Sequence, residues 1–143
     1  MLAKADGCLA LTGMLNDPSE HVVLAVIDAF GDACEADKDS LDTLVALTVT
    51  PPNVGSWRRE SHALVALAKR SREHAQIPLL THARHTVWQV RMYAARAAAL
   101  SENVLALEQL ALDEHDNVRH EALMPLRRLN PEGLERYFLA ALS

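Results

Sequence analysis

One pattern recurs along this chain and restricts its fold more than any single motif does. Val22, Trp57, Val90 and Val118 fall in one column, at spacings of 35, 33 and 28 residues. The next column holds Val23, Arg58, Arg91 and Arg119. Four residues after the first column stand Val26, Ser61, Ala94 and Ala122, and eight after it Phe30, Val65, Ala98 and Leu126. Five before it come Asp17, Pro52, His85 and Asp113. Offsets of four and eight mark one face of a helix. A helical hairpin repeated at such periods predicts an all-α solenoid, in which each pair buries its apolar face on the next.

Composition agrees. Half of the 143 residues are apolar but only 4% are aromatic, and alanine and leucine dominate. That favours helices packed closely through small side chains. No stretch alternates at period two, so a sheet has little support. The residues read as nine helices. The first covers 2–15, and Asp17-Pro18-Ser19-Glu20 starts a second in which Val22, Val26, Ala29, Phe30 and Ala33 share a face. Ser40 is the expected cap of a third, marked by Leu41, Leu44, Val45 and Leu47. Pro51-Pro52-Asn53-Val54-Gly55 ends it, and Ser56 caps the fourth. A fifth over 73–83 contains Pro78 and is expected to kink there. The sixth, 87–100, is nearly all alanine inside, and Ser101 is read as the cap of the seventh. The eighth covers 116–129, and Asn130-Pro131 opens a ninth with Leu134, Phe138, Ala141 and Leu142 on one side.

Asp-x-x-x-x-Val-Arg-x-x-Ala, seen at Asp113 to Ala122 and in part at Asp17 to Val26, resembles the HEAT repeat, in particular the short bacterial repeats of the phycobilisome-lyase type. The resemblance covers nearly all of residues 1–143 as one domain. It implies an α-solenoid of antiparallel helix pairs stacked as a right-handed superhelix. The repeats span roughly 2–35, 40–70, 73–100 and 101–129, with a closing helix at 131–142. It also implies that Asp17, Arg58, Arg91, Asp113 and Arg119 knit neighbouring repeats together. Val23 replaces the arginine in repeat one, and repeats two and three lack the aspartate, so Arg58 and Arg91 are expected to be freer than Arg119.

In such a stack the second helix of each pair lines a concave groove. With the first, fifth and ninth positions inward, helical spacing turns the third, fourth and seventh outward. These are Arg59, Glu60 and Ala63, then Met92, Tyr93 and Arg96, then His120, Glu121 and Met124, with Arg127 and Arg128 continuing the row. Arg59, Tyr93, Arg96, His120 and Arg127 would suit an acidic protein surface, because arginine forks bind carboxylates bidentately and tyrosine supplies an anchor. Trp57 falls in the core column. Trp88, near a turn, is placed for ligand contact or edge packing alike.

Chemistry finds little purchase. His120-Glu121 resembles the His-Glu pairs of the HEAT-like di-iron enzyme deoxyhypusine hydroxylase. The matching positions are Leu24-Ala25, Arg59-Glu60 and Met92-Tyr93, which cannot complete a metal site. His82 and His85 make half a site at most. No Gly-rich phosphate loop or nucleophile motif is present, and Ser61 and His62 are helix neighbours that point apart. No enzyme activity, cofactor or metal is implied.

A protein-binding scaffold is therefore the leading reading. Nucleic-acid binding stands second, since residues 56–100 carry a net +6 between flanks of −7 and −4. The HEAT-like alkylpurine DNA glycosylases show that such folds can take DNA, but few aromatics are available to stack on bases. A lyase or other enzyme comes third, on resemblance alone. Cys8 and Cys34 read as buried thiols of a reducing compartment. Without an apolar leader or a membrane-length run, a cytoplasmic location is expected. The apolar ends suggest a longer array or self-association through terminal helices.

Overall fold

A computed structural model describes residues 2–49 and 57–142. The break at Pro51 to Gly55, the Ser56 cap and the Pro52 column position lie outside them, as do the side chains before Gly7 and those of Ala140 and Ala141. The described residues form nine α-helices and no strand. They are α1 (Leu2–Gly13), α2 (Glu20–Asp32), α3 (Lys38–Val49), α4 (Trp57–Arg70), α5 (Arg72–His82), α6 (Trp88–Leu100), α7 (Val104–Leu110), α8 (Asp116–Leu129) and α9 (Leu134–Leu142). A 3-10 turn, Met14–Asn16, follows α1, and another, Pro131–Gly133, precedes α9.

The even-numbered helices form a row: α2 packs on α4, α4 on α6 and α6 on α8. The odd-numbered helices flank it, with α3 and α5 against α4, α5 and α7 against α6, and α7 and α9 against α8. One continuous core runs between them, including Phe30, Leu44, Leu64, Leu79, Leu107 and Leu126. Each such leucine contributes about 2 kcal/mol of burial. The expected alanine face of α6 is real: Ala94, Ala95, Ala97 and Ala98 are fully enclosed, which lets α6 lie close to both neighbours in the row.

Three turns that enter the row are built alike. Asp17 Oδ1, His85 Nδ1 and Asp113 Oδ1 each accept from the backbone N–H two residues on, at 2.8, 3.0 and 2.9 Å. Histidine thus does at position 85 what aspartate does in the other two turns.

Several local expectations are corrected. The buried face of α2 is Val23, Val26, Ile27 and Phe30, whereas Val22 and Ala29 are half-buried and Ala33 is exposed. Val23 thus fills the arginine column with core. Asp37 caps the start of α3 by accepting from Ser40 N–H at 2.8 Å, while the Ser40 hydroxyl is buried and donates to Asp37 O. Ser101 closes α6 by donating to Ala97 O at 2.8 Å, and Asn103 caps α7 by accepting from Ala106 N–H at 3.1 Å. The α6 exit is completed by Glu102 at φ 53°, a left-handed turn that returns Asn103 N–H to Ala98 O at 2.8 Å. Helix α5 includes Pro78, as expected, and buries it.

Cys8 and Cys34 form a disulfide, which corrects the reading of two free thiols. It ties α1 to the turn after α2, and both half-cystines are buried.

Candidate functional site

The exposed face of the even-numbered row carries a line of polar side chains that crosses all four helices. Asp28 of α2 accepts from the Nδ1 of His62 on α4 at 2.8 Å. His62 Nε2 meets the Tyr93 hydroxyl of α6 at 3.3 Å. The Arg96 guanidinium lies 4.7 Å from the centre of the Tyr93 ring and donates to Glu121 of α8 at 3.0 and 3.2 Å. A second rung joins Lys69 to Asp32 at 2.8 Å. Asp28, Asp32, His62, Val65, Lys69, Tyr93 and Arg96 line an open cleft of about 250 Å³. Trp57 backs it, with its ring centre 5.8 Å from that of Tyr93.

Tyr93, Arg96 and Glu121 are brought together as one cluster. The hydrogen bonds to Glu121 raise the pKa of Arg96, against the opposing effect of burial. Arg59, His120, Met124 and Arg127 are exposed but do not line the cleft. Ala63, expected outside, is fully buried, and His62 takes its place on the face. Helix α4 has neighbours on both sides in the row, so the small Ala63 is enclosed where a larger side chain would be expelled. Glu60 is turned partly inward. Burial raises its pKa, and its Oε2 is enclosed without a partner among the described residues. Trp57, expected in the core, is only half-buried and lies under the Arg58 guanidinium at 4.9 Å.

The arginine column behaves differently from expectation. Arg91, not Arg119, is the buried one. Its guanidinium donates to both oxygens of Asp113, at 2.7 and 3.0 Å, and to the carbonyls of His85 and Thr86. Asp113 lies in the turn between α7 and α8, so the aspartate that Arg91 needs comes from the entry to the next helix of the row. Burial opposes ionisation of Asp113, but the Arg91 guanidinium and the His115 N–H outweigh it and hold its pKa below the ordinary carboxylate value. Arg119 is half-buried and donates to the carbonyls of Asp113 and Glu114, closing its own turn. Arg58 is exposed, and the turn it would close lies outside the described residues. Arg70 does the same work unannounced, donating to Ser40 Oγ at 2.7 Å and to Asp37 O at 2.8 Å across the turn between α2 and α3. Trp88 stacks on His115 with ring centres 4.0 Å apart, an edge contact between α6 and the start of α8.

Four lining residues escaped the sequence reading: Asp28, Asp32, His62 and Lys69. Asp28 was within reach, because it stands six residues after Val22 just as Arg96 stands six after Val90 in the same column.

Four of the eight basic side chains in the stretch 56–100 are paired with acidic side chains from its flanks. Lys69 pairs with Asp32, Arg72 with Glu102, Arg91 with Asp113 and Glu114, and Arg96 with Glu121. Among the described residues no group of three or more His, Cys, Asp or Glu side chains could hold a metal, and no helix is long and apolar enough to cross a membrane. Comparison with protein-family models, curated proteins and solved structures finds no match.

Proposed function

We propose that this chain is a protein-binding scaffold, built as a HEAT-like α-solenoid of about four helix pairs with a closing helix. Its partner docks on the exposed face of α2, α4, α6 and α8. One observation carries this reading: the line Asp28, His62, Tyr93, Arg96 and Glu121 draws on every helix of the row and borders a cleft beside an aromatic wall. A partner laid along such a face meets four successive elements with fixed spacing, which is how helical stacks present an extended binding surface. Tyrosine and arginine at its centre are the residue types that most often anchor interfaces. The ordered columns of the sequence and the row of even-numbered helices support the repeat architecture.

The nucleic-acid reading is weakened by the ion pairs just described, since a cation already facing a carboxylate displaces few phosphate counterions.

The test is a complex of defined stoichiometry. Tyr93→Ala and His62→Ala should each weaken a purified partner's affinity at least about tenfold, or about 1.4 kcal/mol. Ile77→Asp, on the exposed side of α5, should leave it unchanged. A partner indifferent to both face substitutions would place recognition elsewhere.

A further inference from the structure

Resting on that docking face, we propose that the cleft across α2, α4 and α6 receives one arginine side chain of the partner protein. Size points to a side chain: about 250 Å³ lies below the roughly 300–1,000 Å³ typical of pockets for drug-sized ligands and cofactors.

Charge selects its sign. Lys69 is taken by Asp32 at 2.8 Å and Arg96 by Glu121 at 3.0 Å, so both rungs are neutral. Among the described residues Asp28 has only the His62 imidazole as an ionic partner, and its side chain is 49% exposed. Counting histidine as neutral, Asp28 is the uncompensated charge of the cleft, and it asks for a cation.

Hydrogen bonding selects in the same direction. When the His62 Nδ1–H is donated to Asp28, Nε2 is left to accept the Tyr93 O–H. The hydroxyl proton of Tyr93 is then committed, and its oxygen can only accept from a ligand. The second oxygen of Asp28 is likewise an acceptor. Val65 supplies an apolar wall for methylenes. A guanidinium, with five donors in a planar fork and weak hydration, satisfies two fixed acceptors better than an ammonium does. Because His62 is held at both ring nitrogens, Asp28 and Tyr93 are oriented before binding, which lowers the cost of ordering them. This reverses the acidic partner suggested by the arginines alone, since Arg96 is already spent on Glu121.

A random peptide library displayed on phage and panned against the whole chain tests the inference. The expected outcome is a consensus with one invariant arginine, whose replacement by uncharged citrulline weakens binding at least about tenfold. Asp28→Asn should do the same with an unchanged melting midpoint, and Asp42→Asn, at an exposed position of α3, should do nothing. The citrulline peptide keeps the experiment decisive if Asp28→Asn alters folding. Peptides that require Tyr93 but carry an acidic or apolar consensus would overturn the arginine proposal and leave the docking face standing. Peptides indifferent to Tyr93→Ala, His62→Ala and Asp28→Asn would count against both.

Discussion

At the scale of single residues, His82 shows how packing redefines a side chain. It lies on α5 with no solvent access, and neither ring nitrogen meets hydrogen-bond geometry among the described residues. Burial lowers its pKa to about 4, with a smaller opposing effect of the Thr48 backbone and a further lowering by His85. The folded state therefore holds the neutral ring, while an unfolded chain protonates near the ordinary value of 6.5. The His82 contribution to stability is full above about pH 6.5 and is lost as pH falls toward 4, by on the order of 3 kcal/mol in full. Urea midpoints across that window should show this slope, and His82→Leu should flatten it. An unchanged slope in the variant would assign the titration elsewhere. Asp113 acts in the same sense at lower pH, because its depressed pKa gives stability that is lost only as the carboxylate protonates. The sequence held a hint: Leu110 stands 28 residues after His82, the interval that separates Val90 from Val118. That places His82 in an apolar column rather than in a metal site.

At the scale of elements, two contacts hold the first part of the row together. Gly31 sits inside α2, where a Cβ would lie 2.8 Å from Ala66 Cα and 2.9 Å from Ala66 Cβ on α4. Glycine costs a helix up to about 1 kcal/mol against alanine, so its presence here is explained by the close approach of two backbones. Gly31→Ala should therefore lower stability by about 2 kcal/mol instead of raising it, because α2 must move off α4. A denaturant midpoint shifted down at constant slope is the expected result. The Cys8–Cys34 bridge is the second contact. It closes a 26-residue separation and anchors α1, which otherwise packs on α2 and the turn between them. Chain-entropy reasoning gives about 3 kcal/mol for such a loop. Denaturation with and without a thiol reductant should differ by that amount. Equal midpoints would show that the bridge contributes nothing to folding.

At the scale of the molecule, charge is arranged so that one segment answers another. The basic middle third meets acidic side chains from both flanks through four sets of ion pairs. Exposed pairs such as Lys69 with Asp32 add little stability, but they offset part of the local positive field. We therefore expect duplex DNA to bind no more tightly than a non-specific ligand, on the order of 10⁻⁴ M at physiological salt. A tight complex with a steep salt dependence would show that the exposed arginines, such as Arg59 and Arg127, suffice for binding.

The periodic columns determined an all-helical chain, the approximate helix positions, the alanine face of α6 and the outward placement of Tyr93, Arg96 and Glu121. These follow from local rules, because helix periodicity and caps depend on residues a few places apart. Tertiary structure alone decided that Arg91 reaches Asp113 in the turn before α8, that Cys8 meets Cys34, that Ala63 is enclosed while His62 faces the cleft, and that Asp28 completes it. Each of these joins side chains 22 to 34 residues apart, or depends on how far a helix is rotated against its neighbours. A column alignment records which residues repeat. It does not record that rotation, and a turn of one residue, about 100°, exchanges a core position for a surface one.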